Sequence, residues 1–462
     1  MKIVNPRSPR ASNYLAVPER SPSDIRTVAL ILWFLAAATN PAVGQTGATE
    51  SGATWTLPQL IRHALDNNKG LEATRLATKV AEEDITITEG QRWPQVSAVS
   101  SLFLTPIRER LLFERHGRRP DNPFQDVILN YGVEVRLPLY TGGRISKEID
   151  VAEAELAVAQ SRSEVTRQEL IFNVTSAYYT YLRVGHDIAA REALVASVEE
   201  SLRIAREQVA IGRAAQLEVL RLEARQAQAE SELAVARNNL YRTAATVKAL
   251  LAVPPSFALR IAGELAPAPP AYDFESASAT ALARRPDLVA LRQKIEAQRQ
   301  RVGIANARRL PTLDATVNYG LATGEDQTGS DAKFLLNLRI PLYTGDVLPA
   351  RKRKAVAKLR ELEMRLAATE RQVLAEVERA GIDLSSTQTR MTAGWRAVAL
   401  ADESLRVERE KFREGRGTGN DLLLAEETLL RSRTRYAAAV ADSQIAVASL
   451  RLATGELEAP QE

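Results

Sequence analysis

The chain of 462 residues contains no cysteine. Disulfides, iron–sulfur clusters and thiolate metal sites are therefore excluded, as is N-terminal acylation on a cysteine. Histidine is nearly as scarce. His63, His116 and His186 lie far apart in different expected elements, so no histidine metal centre is expected. Aromatic residues make up 5% of the chain, too few for a thick globular core. A formal charge of +4 is mild for this length and does not argue for nucleic acid. Long apolar runs are missing too. The one uncharged apolar stretch, residues 27–38, falls short of the roughly 20 residues that a bilayer-spanning helix needs. If the exported chain enters a membrane, it does so as a β-barrel. There is no nucleophile elbow, zinc-protease motif or Ser/His/Asp arrangement. The run Gly415-Arg416-Gly417-Thr418-Gly419 follows no expected strand and lacks the Gly-Lys-Ser/Thr ending of a phosphate loop, so it reads as a turn between helices. Neither enzymatic activity nor a cofactor is expected.

What is present begins with an export signal. A basic segment (Lys2, Arg7, Arg10, Arg20, Arg26) precedes the apolar stretch, and Ala42-Val43-Gly44 follows it with small residues where a signal peptidase wants them. Residues 1–44 read as a secretory signal peptide, cleaved after Gly44 to leave Gln45 as an unlipidated N-terminus.

The rest of the chain is written twice. Leu137-Pro138-Leu139-Tyr140-Thr141-Gly142 is answered by Ile340-Pro341-Leu342-Tyr343-Thr344-Gly345. Pro138 and Pro341 stand 203 residues apart (341 − 138), and so do Gly212 and Gly415 (415 − 212). Earlier pairs, such as Leu65 with Leu282 and Pro94 with Pro311, are offset by 217, which places an insertion of 14 residues (217 − 203) in the loop 105–126. The expected organisation is a first repeat over 45–252, a proline-rich linker over 253–271, a second repeat over 272–455 and a polar tail over 456–462.

Within each repeat the periodicity changes. Thr56, Pro58 and Gln59 open a helix expected over 57–92. Strands are expected at about 94–104, 127–139, 311–321 and 333–342. In the second of these, Val127, Leu129, Tyr131, Val133, Val135, Leu137 and Leu139 alternate with residues that include Asn130, Gly132, Glu134 and Arg136. Leu313, Ala315, Val317 and Tyr319 repeat the pattern, as do Phe334, Leu336, Leu338, Ile340 and Leu342. Such strands fit a membrane barrel with a wet interior or a soluble sheet with one buried face. The export signal and the lack of other apolar surface favour the barrel, with Val127, Leu129, Tyr131, Val133 and Val135 toward lipid. Residues 145–211 then hold no proline and a single glycine, Gly185: 67 residues, or ~100 Å of helix. Val195, Val198, Leu202, Ala205 and Val209 form a coiled-coil seam, and Leu422, Ala425, Leu429, Ser432 and Tyr436 form another. Each repeat therefore ends in a long helical hairpin, with its tip at Gly212 or Gly415.

In this order and spacing, these residues resemble the TolC family of outer-membrane efflux and secretion proteins. The duplicated Pro-Leu-Tyr-Thr-Gly segments, Arg285-Pro286-Asp287-Leu288, Arg309-Leu310-Pro311-Thr312-Leu313 and both tips carry the likeness. The resemblance implies a mainly α fold with a membrane β-barrel: a homotrimer in which four strands per chain close a twelve-stranded barrel in outer-membrane lipid. The helices would form a periplasmic tunnel. It implies a passive channel of a tripartite efflux or type I secretion system, fed by a periplasmic adaptor and an inner-membrane pump. The tips (Ile211, Gly212, Arg213, Gly415, Arg416, Gly417) would dock the adaptor, and Glu218 and Asp421 would line or latch a periplasmic gate. Relatives with a constricted tunnel carry a second acid three residues on, where this chain has Leu424. The alternative is a periplasmic coiled-coil scaffold without a pore, which has no need of seven apolar residues on one strand face. Arg108, Arg110, Arg115, Arg118 and Arg119 make the inserted loop basic. A solvated loop is its plainer reading, and contact with lipopolysaccharide phosphates the sharper one. The cargo is not legible.

Overall fold

The computed structural model describes residues 54–104, 127–267, 273–323 and 328–459. The export signal, the basic loop and His116 lie outside the described residues.

The first repeat comprises β1 (Thr54–Trp55), α1 (Leu57–Asn67), α2 (Lys69–Gly90), β2 (Gln95–Leu104), β3 (Val127–Tyr140), α3 (Arg144–Ala210) and α4 (Gln216–Leu250). A short strand in the linker, β4 (Arg260–Ile261), runs parallel to β1. The second repeat follows with α5 (Phe274–Arg284), α6 (Pro286–Ala307), β5 (Thr312–Thr323), β6 (Thr328–Arg339), α7 (Val347–Arg413) and α8 (Gly419–Thr454). The rods α3 and α7 are each 67 residues long and begin 203 residues apart (347 − 144).

The helix expected over 57–92 is two helices. Thr56 does open it, its N–H donating to Gln59 Oε1 at 3.0 Å. Asn68 then leaves the helical region with ψ at 118°, and its Oδ1 accepts from the N–H groups of Gly70 (2.9 Å) and Leu71 (3.1 Å). A short amide that satisfies the next turn's donors competes with helix continuation, so Asn68 ends α1 and caps α2. The second repeat breaks 217 residues later (285 − 68), at Arg285, by another route: Arg285 precedes Pro286, whose ring keeps it out of the helical region.

The break lets the short helices lie against the rods. Leu60, Ile61 and Leu71 bury against Ile171, Val174 and Tyr178 of α3. Ala281 and Leu288 bury against Val373 and Val377 of α7. Farther along, Leu202, Ala205, Val219 and Leu222 of the first hairpin share one core with Leu405, Phe412, Leu422 and Ala425 of the second. Small residues let these helices approach closely: Ala437, Ala439, Ala441, Ala446 and Ala448 are all buried on α8.

The four long strands form one antiparallel sheet in the order β2-β3-β5-β6, so both repeats contribute to it through the β3–β5 pairing. Two expectations fail here. The alternation of β3 does not reach Leu139, because a bulge between Pro138 and Tyr140 puts Tyr140 opposite Leu313. Pro138 has no N–H to give the ladder, and such positions favour bulges. In addition, β6 ends at Arg339, which leaves Ile340 and Leu342 outside the sheet.

Candidate functional site

Directly paired residues on antiparallel strands share a face. On one face Val96, Val135, Val317 and Phe334 make a row across all four strands. Val133 stands between Ala98 and Tyr319, and Leu137 pairs with Ala315, which pairs with Leu336. The opposite face is mainly polar, with Val99, Phe103, Ile128 and Leu335 among its apolar members. Glu134 stands between Ser97 and Asn318, Arg136 between Gln95 and Thr316, and Asn318 pairs on with Lys333. Arg136 also donates to Glu134 at 3.1 Å.

Among the described residues no helix packs across this sheet. Val96 is 69% exposed, Phe334 67% and Tyr319 64%, so most of the apolar face is left uncovered by the described residues. Of the residues assigned to lipid, Leu129, Tyr131 and Val133 are exposed on this face and Val135 is half-buried. Val127 pairs with Leu104 at the end of the β2–β3 ladder. The edge strands β2 and β6 each lack a second partner strand among the described residues. An uncovered apolar face with open edges is an association surface.

At the other end of the rods are the tips. Gly212 has φ +74° and Gly415 φ +70°. Each closes its rod with the same pair of hydrogen bonds. Arg213 N–H donates to Gln208 O (2.8 Å) and Gly212 N–H to Val209 O (3.0 Å), and Arg416 and Gly415 do likewise to Lys411 O (2.8 Å) and Phe412 O (3.1 Å). This is the Schellman closure, whose left-handed residue is usually glycine. Ile211, Gly212, Arg213, Gly415 and Arg416 are exposed, and Gly417 is half-buried against Lys411 and Phe412. Leu217 and Leu424 add exposed apolar side chains beside the two turns.

The two acids beyond the tips occupy different surroundings despite equivalent positions (421 − 218 = 203). The Glu218 carboxylate pairs with Arg221 at 3.2 Å and lies against Gly419 of the other hairpin, where a Cβ would collide with it. Asp421 is exposed in the first turn of α8, where the N-cap Thr418 Oγ1 donates to its carboxylate at 2.7 Å and accepts its N–H at 3.2 Å. The structure thus brings Glu218, but not Asp421, onto the neighbouring hairpin.

Sequence reasoning missed two residues that join the hairpins. Gln208 is buried, and its Nε2 donates to the terminal carbonyls of α7 at Phe412 (2.6 Å) and Arg413 (3.3 Å). Glu426 of α8 is buried against Ser197 and Ser201 of α3. Its position four residues after Leu422 and three before Leu429 puts it inside the apolar stripe, a signal the sequence does carry. Arg413 adds an ion pair to Glu200 at 3.3 Å, and the arginines beside Glu200 hold its carboxyl down to about 2.

Comparison with known proteins agrees with this geometry. Residues 60–253 and 277–456 match the family model described as outer membrane efflux protein. The chain is 22% identical over 411 residues to outer membrane efflux protein BepC of Brucella suis, covering 88% of this chain and 86% of that protein. It is 26% identical over 426 residues to outer membrane protein OprJ of Pseudomonas aeruginosa, covering 86% and 84%. The solved structure of outer membrane protein VceC from Vibrio cholerae superposes with a TM-score of 0.74 at 20% identity, over 86% of this chain and 96% of that one. The chain belongs to the outer membrane efflux protein family.

Proposed function

We propose that three copies of this chain close into a conduit through the outer membrane, which passively conducts cargo outward from a periplasmic adaptor and an inner-membrane pump. The observation that carries this reading is the uncovered amphipathic sheet. If β2 of one copy pairs with β6 of the next, three copies make twelve strands and no edge is left. The apolar face then meets lipid, and Glu134, Arg136 and Asn318 face water. Strands of 10 to 14 residues meet the ~9–11 that a tilted membrane strand needs. The rods extend ~100 Å into the periplasm. Their tips, at Ile211, Gly212, Arg213, Gly415, Arg416 and Gly417, offer exposed turns to the adaptor's helices. Three copies of Asp421 form a ring that attracts cations at the entrance, while Glu218 latches one hairpin to the other. The conduit performs no chemistry of its own. Efflux is favoured as the role by the name BepC carries.

The test compares Val133→Arg with Glu134→Arg. Arginine on the lipid face near the barrel midplane costs about 2–4 kcal/mol, whereas on the lumen face it stays hydrated. The yield of heat-resistant trimer on semi-native gels is expected to fall for Val133→Arg and to hold for Glu134→Arg. Equal yields would sink the barrel reading.

A further inference from the structure

Glu426 is the one fully buried carboxylate among the described residues. It lies on α8 in the seam with α3. Its Oε1 accepts from Ser197 Oγ at 2.6 Å and Ser201 Oγ at 3.0 Å, while Oε2 is buried without a hydrogen-bond partner. The duplication supplies an internal comparison. The equivalent of Glu426 is Glu223 (426 − 203), which is exposed and ion-paired with Arg206 at 2.8 Å. The equivalent of Arg206 is Arg409 (409 − 203), which donates instead to Ser197 Oγ. The same Arg–Glu pair is therefore a solvated ion pair in one hairpin and a buried carboxyl held by two hydroxyls in the other.

Most charged groups around Glu426 are engaged elsewhere, although Arg409, which donates to Ser197, keeps a buried Nε without a hydrogen-bond partner. On α3, Glu200 is bound to Arg203 and Arg413. On α4, Arg225 lies 3.7 Å from Glu232. Asp402 of α7 pairs with Arg433 of α8 at 2.8 Å. A cavity of about 330 Å³ opens beside the group, lined by Leu194, Leu405 and Leu429 together with Glu200, Asp402, Arg409 and Arg433, and is large enough to admit water.

We propose that Glu426 is a proton-linked staple. As a neutral carboxyl it holds α8 against α3, and on losing its proton it loosens that seam, so the end of the second hairpin that bears Asp421 and Gly415 responds to pH. Removing an ionised carboxylate from water without a cation in contact is unfavourable, and two serine donors offset only part of that. Burial accordingly pushes the Glu426 carboxyl above its ordinary range, against the pull of Ser197, Ser201, Arg409 and Arg225. A carboxyl with a raised folded-state pKa binds its proton more tightly when packed. The seam is therefore firmest below the ordinary carboxylate pKa and weakens as pH climbs toward the raised value. Glu200, held down to about 2, stays ionised throughout that window.

The staple stands on the geometry of one chain; only its effect on the tip relies on the conduit reading. Hydrogen exchange of the full detergent-extracted protein tests it without requiring conduction. Glu426→Gln keeps the shape neutral at every pH. Peptides covering 197–205 and 422–430 are expected to exchange alike in wild type and Glu426→Gln at acid pH. At alkaline pH wild type exchanges faster, by about tenfold for each unit that the folded pKa is raised. Ser201→Ala removes a donor to the anion and moves the wild-type midpoint to higher pH, a shift that a purely structural role would not produce. Glu223→Gln, in the exposed twin, leaves both peptides unchanged. Equal protection of wild type and Glu426→Gln across the range, or weaker protection of Glu426→Gln at every pH, would overturn the proposal.

Discussion

Ala252 has φ +56°, in the left-handed region. It closes α4 with the same hydrogen bonds that the tips use, Val253 N–H donating to Lys248 O (3.1 Å) and Ala252 N–H to Ala249 O (3.2 Å). Its equivalent in the second repeat, Gly455 (455 − 252 = 203), closes α8 with φ +76°. A left-handed L-residue costs roughly 1–2 kcal/mol, and glycine's extra freedom in the unfolded chain gives back less than ~1 kcal/mol of that. Ala252→Gly is therefore expected to stabilise the protein by about 0.5–1 kcal/mol, read as a raised thermal midpoint in detergent. Gly455→Ala is expected to lower the midpoint, because its Cβ would come within 3.0 Å of the Arg285 backbone. An unchanged midpoint in both variants would mean that these closures carry no strain.

At the scale of elements, the sheet depends on a close approach between β3 and β5. Gly132 pairs directly with Gly320, and a Cβ at Gly132 would fall 2.5 Å from the Tyr319 carbonyl oxygen. Gly132→Ala is expected to destabilise the β3–β5 pairing by about 1–3 kcal/mol, seen as a lower dissociation temperature of the assembled protein. Gly185→Ala is the contrast. Gly185 sits inside α3 with nothing within 4 Å of its added Cβ, so the change is expected to stabilise the rod by about 0.5–1 kcal/mol. The first rod was legible from sequence because its 67 residues hold no proline and a single glycine, and the second followed from the 203-residue repeat. The break at Asn68 was not, since one amide decides it through local hydrogen bonds that no apolar period records. The bulge at Pro138 escaped for a related reason: alternation continues in the sequence through Leu139, and only the missing N–H of a proline interrupts it.

At the scale of the molecule, the duplication is the most legible feature and also the most misleading. It locates both tips, because equivalent positions solve the same backbone problem there. It suggests that Glu218 and Asp421 are alike, and that Glu223 and Glu426 are alike, yet in each pair one member is on the other hairpin and the other is in water. Burial between repeats is a tertiary fact that a repeat cannot show about itself. The tips carry a prediction at this scale. Any bulky side chain at Gly212 must adopt φ +74°, so Gly212→Trp deforms the turn proposed to meet the adaptor while the sheet is untouched. Efflux of a fluorescent substrate from cells with an otherwise intact system is expected to be lost while trimer yield is kept. Full efflux would place the docking surface elsewhere.

The proposed barrel depends on which side of the sheet meets lipid, and the chain's lack of cysteine makes that directly measurable. Single cysteines placed in turn along residues 129–136 of β3 are challenged with a water-soluble maleimide in intact membranes. Positions 130, 134 and 136 are expected to react and positions 129, 131, 133 and 135 to be shielded, a period of two set by the pairing of β3 with its neighbours. Uniform reactivity along the strand, or greater reactivity at the odd positions, would contradict the barrel and with it the conduit.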